Sequence, residues 1–284
     1  MFTDTYELIN GVKIPKLGFG TWLLDNEQAA RAVKEALQAG YRHIDTAEAY
    51  ENEAGVGRGI RESGIARDEI FVTTKLHAEI KDYDQAKLAI AESLEKLGLD
   101  SIDLMIIHSP KPWNDFLGKE RYFEGNLAAW KALEEAYEEG KLKAIGVSNF
   151  ETIDLENLIN HGKIPPMVNQ VLAHIGNIPS EVIEYSKKHD VLVEAYSPFG
   201  HGDMFKHEAL KEIADKYGVS VAQLAVRYLL QLDLLPLPKA SSLDHMKNNA
   251  DVDFIIEDSD IKRLDNFTKI EYSKENKVFP VYQK

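Results

Sequence analysis

Residues 70–108 read IFVTTKLHAEIKDYDQAKLAIAESLEKLGLDSIDLMIIH, and their pattern decides the architecture. IFVTTK (70–75) and IDLMIIH (102–108) are short and rich in β-branched and large apolar residues. The unbroken apolar run inside the second marks a parallel strand covered on both faces. Between them DQAKLAIAESLEKLG has helical period, which predicts Leu88, Ala91, Leu94 and Leu97 on one buried stripe and Gly98 as the stop. The stretch is one strand–helix–strand unit.

The unit repeats in both directions. Upstream lie KLGFGT (16–21) and YRHIDT (41–46), separated by EQAARAVKEALQAG, whose stripe is Ala30, Val33, Ala36 and Leu37 and whose stop is Gly40. Downstream lie AIGVSN (144–149), MVNQV (167–171), VLVEAYS (191–197) and LLPLPK (234–239), with NLAAWKALEEAYEEG ending at Gly140. Eight strands with intervening helices predict an α/β fold: a single (β/α)₈ TIM barrel over residues 1–284. GFGTWLLD lacks the third glycine of a dinucleotide fingerprint, so an open doubly wound sheet is not supported. YELINGVKIP places Asn10-Gly11 between apolar runs, which predicts a β-hairpin with a type I′ turn, plugging the N-terminal end of the barrel. Two segments exceed the repeat: a long loop over 109–125, and EALKEIADKY (208–217), an extra helix ahead of VAQLAVRYLLQ.

Composition narrows the function classes. The chain of 284 residues is 44% hydrophobic and 28% charged, enough apolar material for a large core. It has no cysteine, which removes disulfides, thiolate nucleophiles and Cys-ligated zinc together. Its net charge of −14 repels phosphate backbones and anionic lipid, so neither nucleic acid nor membrane is an expected partner. MFTDTYELIN has no basic start and no apolar stretch of signal-peptide type, and the cytoplasm is the expected location. A monomer acting on a small molecule is the expected state.

Chemistry is sought where barrel strands run into loops. Asp45 closes the second strand, Tyr50 follows in its loop, Lys75 closes the third and His108 the fourth. A phenol, with pKa about 10, is a poor acid at neutral pH unless a cation lies beside it. Lys75 can be that cation, Asp45 can hold it charged, and His108 can orient a carbonyl oxygen. The set reads as a general acid with its tuning groups. A different reading takes His43, Asp45 and His108 as ligands of a metal-dependent barrel hydrolase, although no third histidine has ligand spacing. A third reading is a cofactor-binding barrel without turnover, serving as a regulatory subunit.

The long motifs carry a resemblance. GYRHIDTAEAYENEAGVG (40–57), VTTKL (72–76), DLMIIHSP (103–110), AIGVSNF (144–150), VNQV (168–171), EAYSPFG (194–200) and PLPKASSLDHMKNNADV (236–252) resemble aldo-keto reductases. The likeness is greatest to the bacterial group that includes 2,5-diketo-gluconate reductases. It implies reduction of carbonyls by NAD(P)H without a metal, Tyr50 donating the proton and Asp45, Lys75 and His108 completing a tetrad. It further implies Ser148, Asn149 and Gln170 on the nicotinamide carboxamide, with Asp45 nearby and Tyr196 stacked on the ring. Ser197, Phe199 and Gly200 would line the pyrophosphate path, and Gly20, Thr21 and Trp22 would flank nicotinamide and substrate. Lys239, Ala240, Ser241, His245, Asn248 and Asn249 would cradle the adenosine end.

The departures from the family pattern carry expectations of their own. Ala240 and His245 stand where the family has serine and arginine on the 2′-phosphate of NADP, each bond worth roughly 1.5–3 kcal/mol. NADPH is therefore the expected cofactor, with NADH also used. His77 and Ser109 stand where tryptophans are common, which predicts a wider, wetter substrate pocket lined by Trp22, Tyr50, His77, His108 and Ser109. Leu172, Ile175 and Gly176 replace a glutamate and a His-Pro pair, a change without a functional account.

Overall fold

The computed structural model describes residues 2–283; the expected domain 1–284 also takes in Met1 and Lys284, which lie outside the described residues. The chain opens with a two-stranded antiparallel hairpin, β1 (Thr5–Glu7) and β2 (Lys13–Pro15). Eight parallel strands follow: β3 (Phe19–Gly20), β4 (His43–Asp45), β5 (Phe71–Leu76), β6 (Leu104–Ile107), β7 (Ile145–Ser148), β8 (Val168–Leu172), β9 (Leu192–Tyr196) and β10 (Leu235–Leu237). Each pairs with the next in chain order. Gly18 and Gly20 then donate to the carbonyls of Pro236 and Pro238 at 3.1 and 3.0 Å, which closes β3 onto β10. All eight expected strands are present, and the sheet is a barrel.

The helices form the outer ring. They are α1 (Asn26–Ala39), α2 (Glu53–Ser63), α3 (Tyr83–Leu97), α4 (Phe123–Glu138), α5 (Thr152–His161), α6 (Ser180–Lys188), α7 (Glu208–Lys216) and α8 (Val221–Gln231), followed by α9 (Leu243–Ala250) and α10 (Asp258–Asp265) after the last strand. No helix of the described residues is long and apolar enough to cross a membrane. α1 starts as its sequence dictates, with Asp25 and Gln28 in a reciprocal capping box, and stops at left-handed Gly40. α2 is glycine-rich for a packing reason. A Cβ at Gly55 would lie 2.2 Å from the Asn26 carbonyl oxygen, and one at Gly57 2.0 Å from that of Leu97, so backbone packs on backbone from α1 to α3.

Two local expectations are corrected. The hairpin turn is not type I′: only Gly11 has positive φ, at 83°, whereas that turn needs positive φ at both central residues. Gly11 N–H donates to the Leu8 carbonyl and Leu8 N–H to the Val12 carbonyl, a three-residue loop with its glycine at the bulge. The hairpin nevertheless sits under the strand starts, with Tyr6 Oη donating to the Leu234 carbonyl and Asn10 Nδ2 to that of Lys143. In α3 the buried residues are Ala86, Ala89, Ile90, Ser93 and Leu97, while Leu88 is 62% exposed. Of the expected stripe Leu97 is buried and Leu94 half-buried against the core, so the packed face is turned from the expected one and not opposite to it.

Candidate functional site

The C-terminal strand ends bring the predicted residues together. Lys75 Nζ, fully buried, lies 2.6 Å from Asp45 Oδ1 and donates to the Thr46 carbonyl at 2.7 Å. Its ammonium stands 5.0 Å from the centre of the Tyr50 ring. Tyr50 closes a single 3₁₀ turn (Glu48–Tyr50) ended by left-handed Glu51. That turn is anchored by buried Asn52, whose amide donates to the carbonyls of Thr21 and Leu24 and accepts from Thr46 Oγ1 at 2.6 Å. The His108 ring meets Tyr50 edge-on at 5.8 Å.

Electrostatics refine the expected roles. Burial lowers the Lys75 ammonium, but the Asp45 carboxylate and the Tyr50 oxygen more than offset it, and its pKa ends above the ordinary value. Tyr50 runs against the sequence expectation. Its face is open to a cavity, yet surrounding protein desolvates it enough to raise the phenol above 10, with Lys75 cancelling only part of the rise. Lys75 therefore limits an upward shift and does not produce a net downward one. Burial, then Lys75, lowers His108 well below 6.5, so it faces the cavity as a neutral imidazole.

Two cavities meet at Trp22, Tyr50 and Tyr196. The first, of ≈330 Å³, is lined on its polar side by Tyr50, His77, His108, Ser148, Asn149 and Gln170. Its apolar wall is Trp22, Trp113, Phe279, Pro280, Val281 and Tyr282. The second, of ≈310 Å³, runs between Gly20, Leu23 and Asp45 on one side and Ser197, Phe199, His201 and Lys239 on the other. Ser148, Asn149 and Gln170 form one network: Ser148 Oγ donates to the Gln170 carbonyl, Asn149 Nδ2 to Ser148 Oγ, and Tyr196 Oη to Asn149 Oδ1.

Other predicted residues are placed differently. Ser109 does not reach the pocket: it is fully buried, its carbonyl takes Lys81 Nζ at 2.8 Å, and its hydroxyl accepts from Lys111 N–H. The indole expected to be missing there comes from Trp113, whose ring stands 5.1 Å from His108. Glu79 braces this wall by pairing with His77 Nδ1 and accepting from Trp113 N–H. The pocket is thus drier than expected. Thr21 is also fully buried, its hydroxyl donating to the Asp45 carbonyl at 3.0 Å. Gly200 lies on the wall formed by His174, where a Cβ would come within 3.3 Å of that ring. Ala240 and Asn249 are buried, Ser241 and His245 exposed, and Asn248 donates to Ser220 Oγ; Ala240 and Ser241 precede α9, His245 lies in its first turn and Asn248 and Asn249 in its last, all beyond the lining of the second cavity. His43 does not converge on Asp45 and His108 to bind a metal. Its Nε2 pairs with Thr73 Oγ1 at 2.9 Å, and no cluster of three or more His, Asp or Glu among the described residues could hold an ion.

Sequence reading missed Trp113 and the tail residues Phe279–Tyr282. Their signal was present: Trp113 lies in the long loop over 109–125 that exceeds the repeat, and long loops at a barrel's C-terminal rim are where ligands are met, while VFPVY (278–282) is an apolar patch in an otherwise charged terminus.

Comparison with known proteins agrees with this geometry. The aldo/keto reductase family matches residues 16–269. Among relatives, a glyoxal reductase of Bacillus subtilis is 41% identical over 94% of each chain, and the methylglyoxal reductase DkgA of Escherichia coli is 36% identical over 91% of each. Among solved structures, an aldo/keto reductase from Brucella melitensis superposes with TM-score 0.84 at 41% identity, covering 92% of this chain and 98% of that one. A Bombyx mori aldo-keto reductase (AKR2E4) in complex with NADP superposes with TM-score 0.86 at 33% identity, covering 99% of both.

Proposed function

The chain belongs to the aldo/keto reductase family and is an NADPH-dependent oxidoreductase that reduces carbonyl groups; from that premise we propose that its substrates are small aldehydes and α-oxoaldehydes, reduced at Tyr50. The observation that carries this reading is the shape of the first cavity. Its ≈330 Å³ is bounded by aromatic walls, with Tyr50, His108 and His77 as polar groups on one edge. With the nicotinamide taking the part lined by Ser148, Asn149 and Gln170, the space left along that edge suits a compact substrate with two adjacent oxygens and is too small for a steroid-sized ketone.

The two joined cavities fit a dinucleotide. Ser148, Asn149 and Gln170 would hold the carboxamide, Tyr196 would cover one ring face, and Lys239 would meet phosphate at the far end. When bound, the dihydronicotinamide supplies a hydride to the carbonyl carbon. Neutral His108 donates one hydrogen bond to the carbonyl oxygen and fixes its direction. Tyr50 gives that oxygen its phenolic proton as the C–H bond forms, and the product is the alcohol. Lys75, held by Asp45, stabilises the phenolate left behind. Trp22, Trp113 and Phe279 exclude water.

The cofactor reading includes NADH. Ala240 presents no hydroxyl and His245 no guanidinium at the expected 2′-phosphate end, while Lys239 remains. A steady-state comparison of NADPH and NADH against methylglyoxal, a hydroxylated aldehyde and a bulky aromatic ketone tests both parts. The expected order puts the small carbonyls first, with NADH appreciably active. His245→Arg should tighten NADPH and leave NADH nearly unchanged. Preference for the bulky ketone would sink the substrate reading, and strict NADPH use unaltered by His245→Arg would sink the cofactor reading.

A further inference from the structure

Below the pocket, on the inward face of the barrel, lies a carboxyl group that the reduction does not consume. Glu194 of β9 is fully buried and stands in register with Gln170 of β8. Gln170 Nε2 donates to Glu194 Oε2 at 2.7 Å and to Asp45 Oδ2 at 2.9 Å. Both amide protons are spent on carboxyl groups, so what the Gln170 side chain has left to offer a ligand in the cavity it lines is its amide oxygen, Oε1. Glu194 Oε1 has no hydrogen-bond partner among the described residues. The nearby His43 Nε2, 3.9 Å away, is already engaged by Thr73.

We propose that Glu194 is a positioning residue for the reduction: it fixes the Gln170 amide from beneath as an uncharged acid, and its ionisation turns the enzyme down. The proposal rests on the reading of Gln170 and Tyr50 given above. The groups facing Glu194 are His43 and Asp45 from β4, Lys75 from β5 and Gln170 from β8, while Phe19–Gly20 of β3 and Leu235–Leu237 of β10 bring no charge. Of these the one cation is Lys75, which is bonded to Asp45 and Thr46. His43 offers no counter-charge, since burial and then Lys75 lower it to about 3. Burial first, and Asp45 second, push Glu194 up to about 8, with Gln170 and Lys75 pulling back. Once ionised, Glu194 places a second negative charge beside Asp45 and competes for the field of Lys75, so the phenolate of Tyr50 is less well stabilised.

Three variants test this by titrating NADPH onto the protein and by following kcat/KM against pH with methylglyoxal. Glu194→Leu removes the acceptor and should weaken NADPH roughly tenfold, the scale of one oriented hydrogen bond. Glu194→Gln keeps an acceptor that cannot ionise; it should recover most of that affinity at pH 7, and the alkaline fall in kcat/KM, expected near pH 8 in the wild type, should move to higher pH. Gln170→Ala separates the two readings. If it binds NADPH like the wild type, the assignment of Gln170 fails and the proposal with it. If Gln170→Ala is weak while Glu194→Leu binds normally, only the proposal is overturned. An unchanged alkaline limb in Glu194→Gln also overturns it, whether or not Glu194→Leu folds.

Discussion

At Tyr50, burial raises the phenol and Lys75 restrains it, so the residue works as an acid only while that ammonium is held in place. Tyr50→Phe should keep NADPH affinity and lower turnover by about 10²-fold or more, the contribution of a positioned general acid. Near wild-type turnover in that variant would remove the role. Lys75→Met should be as damaging, but it also leaves Asp45 buried without its partner, a loss of about 3–5 kcal/mol in stability. The double variant Asp45→Asn/Lys75→Met separates the effects: its thermal midpoint should recover while turnover stays low. Recovery of both would return Lys75 to a purely structural place. Asp45, Lys75 and His108 were legible because each is a titratable group at the end of an apolar strand, and Tyr50 because it follows in the short loop after Asp45. Ser109 was misjudged because its side chain is buried and serves the loop, accepting from Lys111 N–H, and does not face the cavity. Trp113 was not legible as a wall, because only the path of its loop brings its indole back over His108.

Among the elements, the alternation of strands and helices was readable because both of its periods are written in apolar residues. What failed was the choice of helix face and of turn type. In α3 the expected stripe (Leu88, Ala91, Leu94, Leu97) is rotated: Leu97 is buried and Leu94 packs half-buried, but Leu88 and Ala91 face solvent and Ala86, Ala89, Ile90 and Ser93 take the core side. Close approach governs α2. Gly57 faces the Leu97 carbonyl so closely that an added Cβ would sit 2.0 Å from that oxygen, a backbone atom that cannot swing aside. Gly57→Ala should therefore destabilise the protein by about 1–3 kcal/mol through overpacking, despite up to ~1 kcal/mol gained in helix propensity. Denaturant unfolding reads the difference directly. A midpoint equal to or above that of the wild type would show that α3 can shift without loss, and the backbone contact would then carry no stability argument.

On the scale of the whole molecule, the acidic excess is spread over the surface, and the buried titratable groups give stability its pH dependence. Glu194 and His43 act with opposite signs. His43, lowered to about 3, is neutral in the folded protein while the unfolded chain takes up a proton below about 6.5, so its contribution is lost as pH falls. Glu194, pushed up to about 8, keeps its proton in the folded protein while the unfolded chain releases it above its ordinary 4.5, so stability is lost as pH rises. Between 4.5 and 6.5 the two slopes oppose each other, and the wild-type curve alone hides both. Glu194→Gln exposes one of them. Relative to the wild type it should gain up to about 1.4 kcal/mol for each pH unit between 4.5 and 8, with no further gain outside that window. Urea unfolding of both proteins at pH 5, 6.5 and 8 measures the difference, and the absolute offset from the changed hydrogen bond drops out because only its slope is read. A difference that stays flat across those three pH values would mean that Glu194 is ionised in the folded barrel, which would also remove the uncharged acid from beneath Gln170.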